Sequence, residues 1–146
     1  MKKWTVSIVV AVFLGTGASR STSPHRLEVL SRGRAVWSAP IREDEAFDVA
    51  YTHSRELSRW VQHFVAQKGS LRQTGSSFTA YGAGMPLGQA SVTLTRDGFS
   101  VRLNQVLNEL QMMNWRASSI ELLYRGQRLN LSQFFADFDS FSVRVR

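Results

Sequence analysis

Apolar and polar residues alternate in short runs along most of this chain. Turn residues interrupt them roughly every 8 to 12 positions, the spacing of an antiparallel sandwich. Such alternation places successive side chains on opposite faces of a strand. Leu27-Glu28-Val29-Leu30 and Ala35-Val36-Trp37-Ser38-Ala39 read as antiparallel partners across a turn at Arg32-Gly33-Arg34. Pro40 and the charged run Arg42-Glu43-Asp44-Glu45 end the second of them. A central strand follows, with Phe47, Val49 and Tyr51 on one face and Asp48, Ala50 and Thr52 on the other. The clearest hairpin runs from Ala90 to Leu103. In it Val92 and Leu94 alternate with polar residues before Asp97-Gly98, as do Phe99, Val101 and Leu103 after it. Leu107 to Trp115, Ile120 to Tyr124 and Phe141 to Val145 continue the pattern, with a turn at Arg125-Gly126-Gln127.

Two segments depart from it. Leu57, Trp60, Val61, Phe64 and Val65 fall at helical spacing, so periodicity alone predicts a short helix; the surrounding strands, and Trp60, Gln62 and Phe64 in alternation, predict a strand instead. Leu131 to Phe138 predicts one helical turn capped by Ser132. The expected fold is mainly β, an antiparallel β-sandwich or partly closed barrel, formed by residues 27–146 as a single β-rich domain.

The N-terminus adds a compartment. Met1-Lys2-Lys3 precedes an apolar run from Trp4 to Leu14, and the small residues Gly15-Thr16-Gly17-Ala18 follow. The run is shorter than the roughly 20 residues of a membrane span and matches the apolar region of a secretory signal. Residues 1–18 are therefore expected to be a signal peptide or an uncleaved anchor, and residues 19–26 a short Ser/Thr/Pro-rich tether. The expected location is the periplasm, with the protein either soluble or held at the inner membrane.

Charge and composition narrow the chemistry. The 146 residues carry 18 Lys plus Arg against 11 Asp plus Glu, a formal charge of +7, but the arginines are dispersed singly among apolar positions. That pattern lacks the clustered basic track of a nucleic-acid binder, and no nucleic-acid partner is expected. The absence of cysteine excludes disulfides, thiolate catalysis and Cys-ligated zinc. His25, His53 and His63 have none of the spacings that join metal ligands, so neither a metal nor a cofactor is expected.

His53 and Ser54 are adjacent, and in an extended strand they would face opposite ways, which disfavours a base and nucleophile pair. The same geometry would align Tyr51, His53 and Arg55 as three donors for a carboxylate or phosphate, with Thr52, Ser54 and Glu56 behind them. Alternatively, Tyr51 and His53 satisfy buried carbonyls at a strand end. Gly82-Ala83-Gly84, ahead of Met85-Pro86, either turns backbone N–H groups toward an anion or permits a tight bend. Trp37, Trp60 and Trp115 are expected to be core or interface aromatics, and Glu43-Asp44-Glu45 a solvated turn.

Tyr51-Thr52-His53-Ser54 with Glu56, then Phe78 and Tyr81-Gly82-Ala83-Gly84-Met85-Pro86, then Asp97-Gly98-Phe99, together resemble the signature of a bacterial family of small exported proteins, domain of unknown function 1850. The resemblance covers about Leu27 to Val145. It implies genes beside TRAP-type secondary transporters that use a TAXI-class solute receptor, hence an accessory role in periplasmic solute uptake, and it supplies no catalytic residues. Arg55, Arg59 and Gln62 stand where the family carries Val, Pro and a second acid. The candidate ligand- or partner-binding residues are Tyr51, His53, Ser54, Arg55, Glu56, Gly82, Gly84 and Pro86. The expected function is a non-catalytic accessory or binding component of such a transporter, partnered by its membrane subunit or its solute receptor. A module binding a small organic anion and a hydrolase using His53 as general base are the alternatives.

Overall fold

The computed structural model describes residues 25–54, 57–80 and 92–146. The N-terminal segment 1–24 and the candidate residues Arg55, Glu56, Gly82, Gly84 and Pro86 lie outside the described residues. The strands are β1 (His25–Ser31), β2 (Arg34–Ile41), β3 (Ala46–Thr52), β4 (Arg59–Gln67), β5 (Ser70–Phe78) and β6 (Val92–Thr95). They continue with β7 (Gly98–Leu107), β8 (Leu110–Met113), β9 (Glu121–Tyr124), β10 (Gln127–Asn130) and β11 (Ser140–Val145). There is no α-helix among the described residues. A smaller sheet has the order β2-β1-β11-β8 and a larger one β10-β9-β3-β4-β5-β7-β6, with every pairing antiparallel. The two layers form a sandwich.

Alternation explains how they adhere. Leu27, Val29, Val143 and Val145 of the smaller sheet, and Phe47, Val49, Phe64 and Leu122 of the larger, are all buried in one cluster. Phe47 lies opposite Phe64, and their rings stack at 5.3 Å. Tyr124 ties the layers at one edge, its hydroxyl donating to the Pro40 carbonyl at 2.6 Å. Asn114 fixes the approach to β11. Its buried side-chain amide donates to the carbonyls of Phe135 (3.1 Å) and Ala136 (3.0 Å), while its backbone N–H donates to Asp139.

The ambiguous segment 57–65 is a strand from Arg59 onward, and the helix suggested by its periodicity does not form. As a central strand β4 has its backbone bonded to β3 and β5 on both sides, while Trp60, Gln62 and Phe64 point inward. Val61 and Val65 occupy the outer face, so apolar residues on both faces imitate helical spacing. The expected helical turn is a 3-10 turn at Leu131–Phe134, and its cap is Asn130 rather than Ser132: Asn130 Oδ1 accepts from the Ser132 N–H at 3.0 Å. The hairpin forms about Arg96-Asp97. Gly98 has φ of 134°, and a Cβ there would lie 2.3 Å from the Phe78 carbonyl oxygen, so only glycine fits. The β6 half of that hairpin does not enter the core, since Leu94 is 74% exposed.

Candidate functional site

Strand β3 ends at Thr52, one residue before the histidine expected to continue it. His53 N–H donates to the Ser58 carbonyl at 2.8 Å and Leu57 N–H to the His53 carbonyl at 2.9 Å, closing the chain into a tight loop before β4. Leu57 takes a left-handed φ of 50° at its exposed tip. The strand that would carry a Tyr51-His53-Arg55 row ends at Thr52, and Arg55 lies outside the described residues. His53 and Ser54 lie beyond the end of that strand, so its alternation does not set their directions. Both line one cleft of about 310 Å³ between the sheets, with Tyr51, Gln62, Met112 and Ile120 among its walls. Of the eight candidate residues, the structure brings Tyr51, His53 and Ser54 together.

Aromatic packing holds the floor of this region. Tyr51, Trp60, Phe78 and Phe99 are register partners across β3, β4, β5 and β7, and their rings follow one another at 6.3, 5.0 and 5.7 Å. The His53 ring stacks on Trp60 at 4.8 Å with 24° between planes. Trp60 in turn donates its indole N–H to Ser58 Oγ at 3.2 Å. Burial pushes the Tyr51 phenol above its ordinary pKa, so it remains a neutral donor near neutral pH. Gln62, which stands where the resemblance places an acid, presents a buried Oε1 with no hydrogen-bond partner among the described residues. Among the described residues no carboxylate lines the cleft.

The outer face of the same sheet carries a second polar group. His63 lies opposite Asp48 of β3 and opposite Gly75 of β5. Its Nδ1 is 2.8 Å from Asp48 Oδ1 and its Nε2 is 2.8 Å from Ser77 Oγ. The diagonal reach to Ser77 has a local cause. Gly75 puts no side chain beside the imidazole, and the β5 bulge at Thr74, whose hydroxyl donates to the His63 carbonyl at 3.3 Å, shifts the register there. A Cβ on Gly75 would meet the Val101 carbonyl oxygen at 2.6 Å. None of these three polar residues stood among the sequence candidates. The available signal was a carboxylate and a histidine at interior strand positions, where Asp in particular is disfavoured. The pairing itself depends on strand register, which the sequence does not display.

Two ion pairs lie nearby. Glu121 takes the Arg59 guanidinium, and Glu45 takes Arg125 through two contacts of 2.7 and 3.0 Å. Among the described residues no group of three His, Cys, Asp or Glu is placed to hold a metal ion.

Comparison with known proteins gives one family. The model of the family described as domain of unknown function 1850 matches residues 47–131, from β3 to the start of the 3-10 turn. No curated protein and no solved structure matches the chain.

Proposed function

From the premise that this chain belongs to the family of domain of unknown function 1850, we propose that it is a small-molecule-binding accessory component of a TAXI-type TRAP solute transporter, acting in the periplasm. The ligand class is a small organic anion. The observation that carries this reading is the cleft between the sheets, whose walls include Tyr51, His53, Ser54 and Gln62, the last with a buried and unpartnered Oε1. The unpartnered atom is an acceptor, which is costly to bury, and a hydroxyl carried by the ligand beside its carboxylate would donate to Gln62 Oε1 and remove that cost. The neutral Tyr51 phenol, the Ser54 hydroxyl and the Gln62 carboxamide can all donate to a carboxylate, and no acidic lining residue repels it. Apolar Met112 and Ile120 in the same walls suit a short carbon chain. Met113, 57% exposed at the rim, and Leu57, 75% exposed on the adjoining loop, offer a partner apolar contact beside the opening.

Thermal unfolding of the full-length chain against a panel of short mono- and dicarboxylic acids tests the reading. A true ligand at a hundredfold excess over its Kd raises the melting temperature by roughly 5–10 °C, and His53→Ala or Gln62→Leu removes that rise. Affinity capture from host membranes should return a transporter subunit or its solute receptor. No stabilisation by any acid, with neither partner recovered, would overturn the proposal.

A further inference from the structure

We propose that Ser77, His63 and Asp48 form an acyl-transfer centre for short-chain carboxylic esters on the outer face of the larger sheet, separate from the cleft between the sheets. The hydrogen-bond order decides the roles. A carboxylate can only accept, so Asp48 Oδ1 takes the N–H of His63 Nδ1 and leaves Nε2 as an acceptor. That nitrogen receives the Ser77 hydroxyl at 2.8 Å, the relation of a general base to its nucleophile. Three adjacent strands, β3, β4 and β5, contribute one residue each, so the group is held by the sheet rather than by a loop. His63 and Asp48 expose about a third of their side chains, 34% and 35%, so solvent and a substrate can reach them.

Beside Ser77 a trough of about 340 Å³, lined also by Arg59, Val61 and Phe99, has room for a small acyl group and a short alcohol. Arg59 is the cation of this trough, and its guanidinium is held by Glu121. In the reaction Ser77 Oγ bonds to the ester carbonyl carbon while its proton passes to His63 Nε2. The tetrahedral intermediate then expels the alcohol, which leaves with that proton. Water next adds to the acyl-serine, giving a proton to the same nitrogen. Collapse releases the carboxylic acid and returns the proton to Ser77.

Asp48 is a positioning residue here, since it touches only the imidazole. Ser77 lies on a central strand whose backbone N–H groups serve the ladders to β4 and β7. Stabilisation of the oxyanion therefore falls to Arg59, whose charge is shared with Glu121 and opposed by Asp97 in the same trough, and without a backbone oxyanion hole turnover is expected to be slow.

The test combines p-nitrophenyl acetate hydrolysis with a fluorophosphonate probe, both on the full-length chain. We expect stoichiometric labelling at Ser77 located by mass spectrometry, and hydrolysis reduced by about 10²–10⁴-fold in Ser77→Ala and in His63→Ala. Asp48→Asn should lower kcat and alter its pH profile while sparing KM, which a merely structural role would not do. His25→Ala should leave the rate unchanged and controls for hydrolysis by an unassisted imidazole. Circular dichroism establishes that each variant is folded. A folded Ser77→Ala that hydrolyses the ester at the wild-type rate, or labelling that is absent at Ser77 or survives His63→Ala undiminished, overturns the proposal.

Discussion

His53 and His63 flank opposite faces of one sheet, and their surroundings differ in kind. His53 gives its ring to an aromatic stack on Trp60 at the edge of the inter-sheet cleft. His63 stands between a carboxylate and a hydroxyl on the outer face, with both ring nitrogens engaged. Alternation along β4 produces the contrast, since Trp60, Gln62 and Phe64 build the interior while Arg59, Val61 and His63 face out. A single strand thus contributes packing on one side and polar chemistry on the other. Truncation on the two sides should therefore have different consequences.

The sharpest way to break the comparison uses adjacent positions. Phe64→Ala removes a ring stacked on Phe47 in the core and should cost about 3–5 kcal/mol in denaturant unfolding. His63→Ala should cost about 1 kcal/mol, because only partly exposed hydrogen bonds are lost. Equal costs would mean that the outer group is structural. Next in size is Gly75→Ala, which forces a Cβ against the Val101 carbonyl and should cost about 1–3 kcal/mol. The backbone shift forced on β5 two residues before Ser77 should also lower Ser77 labelling, whereas unchanged labelling would show that the serine does not depend on this close approach.

Gln62→Leu should act in the opposite direction. Removing a buried acceptor that lacks a partner is expected to leave stability unchanged or raise it by about 1 kcal/mol, while ligand binding is lost. A clear loss of stability would show instead that the carboxamide is already satisfied. The smallest effect concerns the Glu45 and Arg125 pair. Its hydrogen bond from Arg125 is the main cause that holds the Glu45 carboxyl at about 2, below its ordinary 4.5. A depressed folded-state pKa contributes stability above pH 4.5, and that contribution disappears as pH falls from 4.5 through about 2. Acid titration of stability should be shallower over that window in Glu45→Gln, and an identical slope would remove the pair from the account.

Much of the layer architecture was legible in the sequence, because alternation at Phe47, Val49 and Tyr51, and at Phe99 and Val101, states which face is buried. Asp97-Gly98 and Arg125-Gly126 marked turns that form, the second with left-handed φ at both residues. Residues 57–65 were less legible, since apolar residues on both faces of a central strand mimic helical period. At the site, the motif Tyr51-Thr52-His53-Ser54 located the cleft, but the turn that ends β3 at Thr52 cancels the alternation on which the side-chain directions rested. The grouping of Asp48, His63 and Ser77 was not legible for a different reason. They meet only through inter-strand register, set by a bulge and a glycine that carry no chemistry of their own.

The pairing of β1 with β11 also bears on how the molecule is made. Glu28 and Arg144, whose side chains join at 2.9 Å, are 116 residues apart, and β11 sits between β1 and β8 rather than at an edge. While the chain is emerging from the ribosome, β1 can find β2, but β1 lacks its second neighbour and edge strand β8 its one neighbour in the sheet until β11 arrives. Completion of the smaller sheet is consequently a late event of long loop closure, after every strand of the larger sheet has been made.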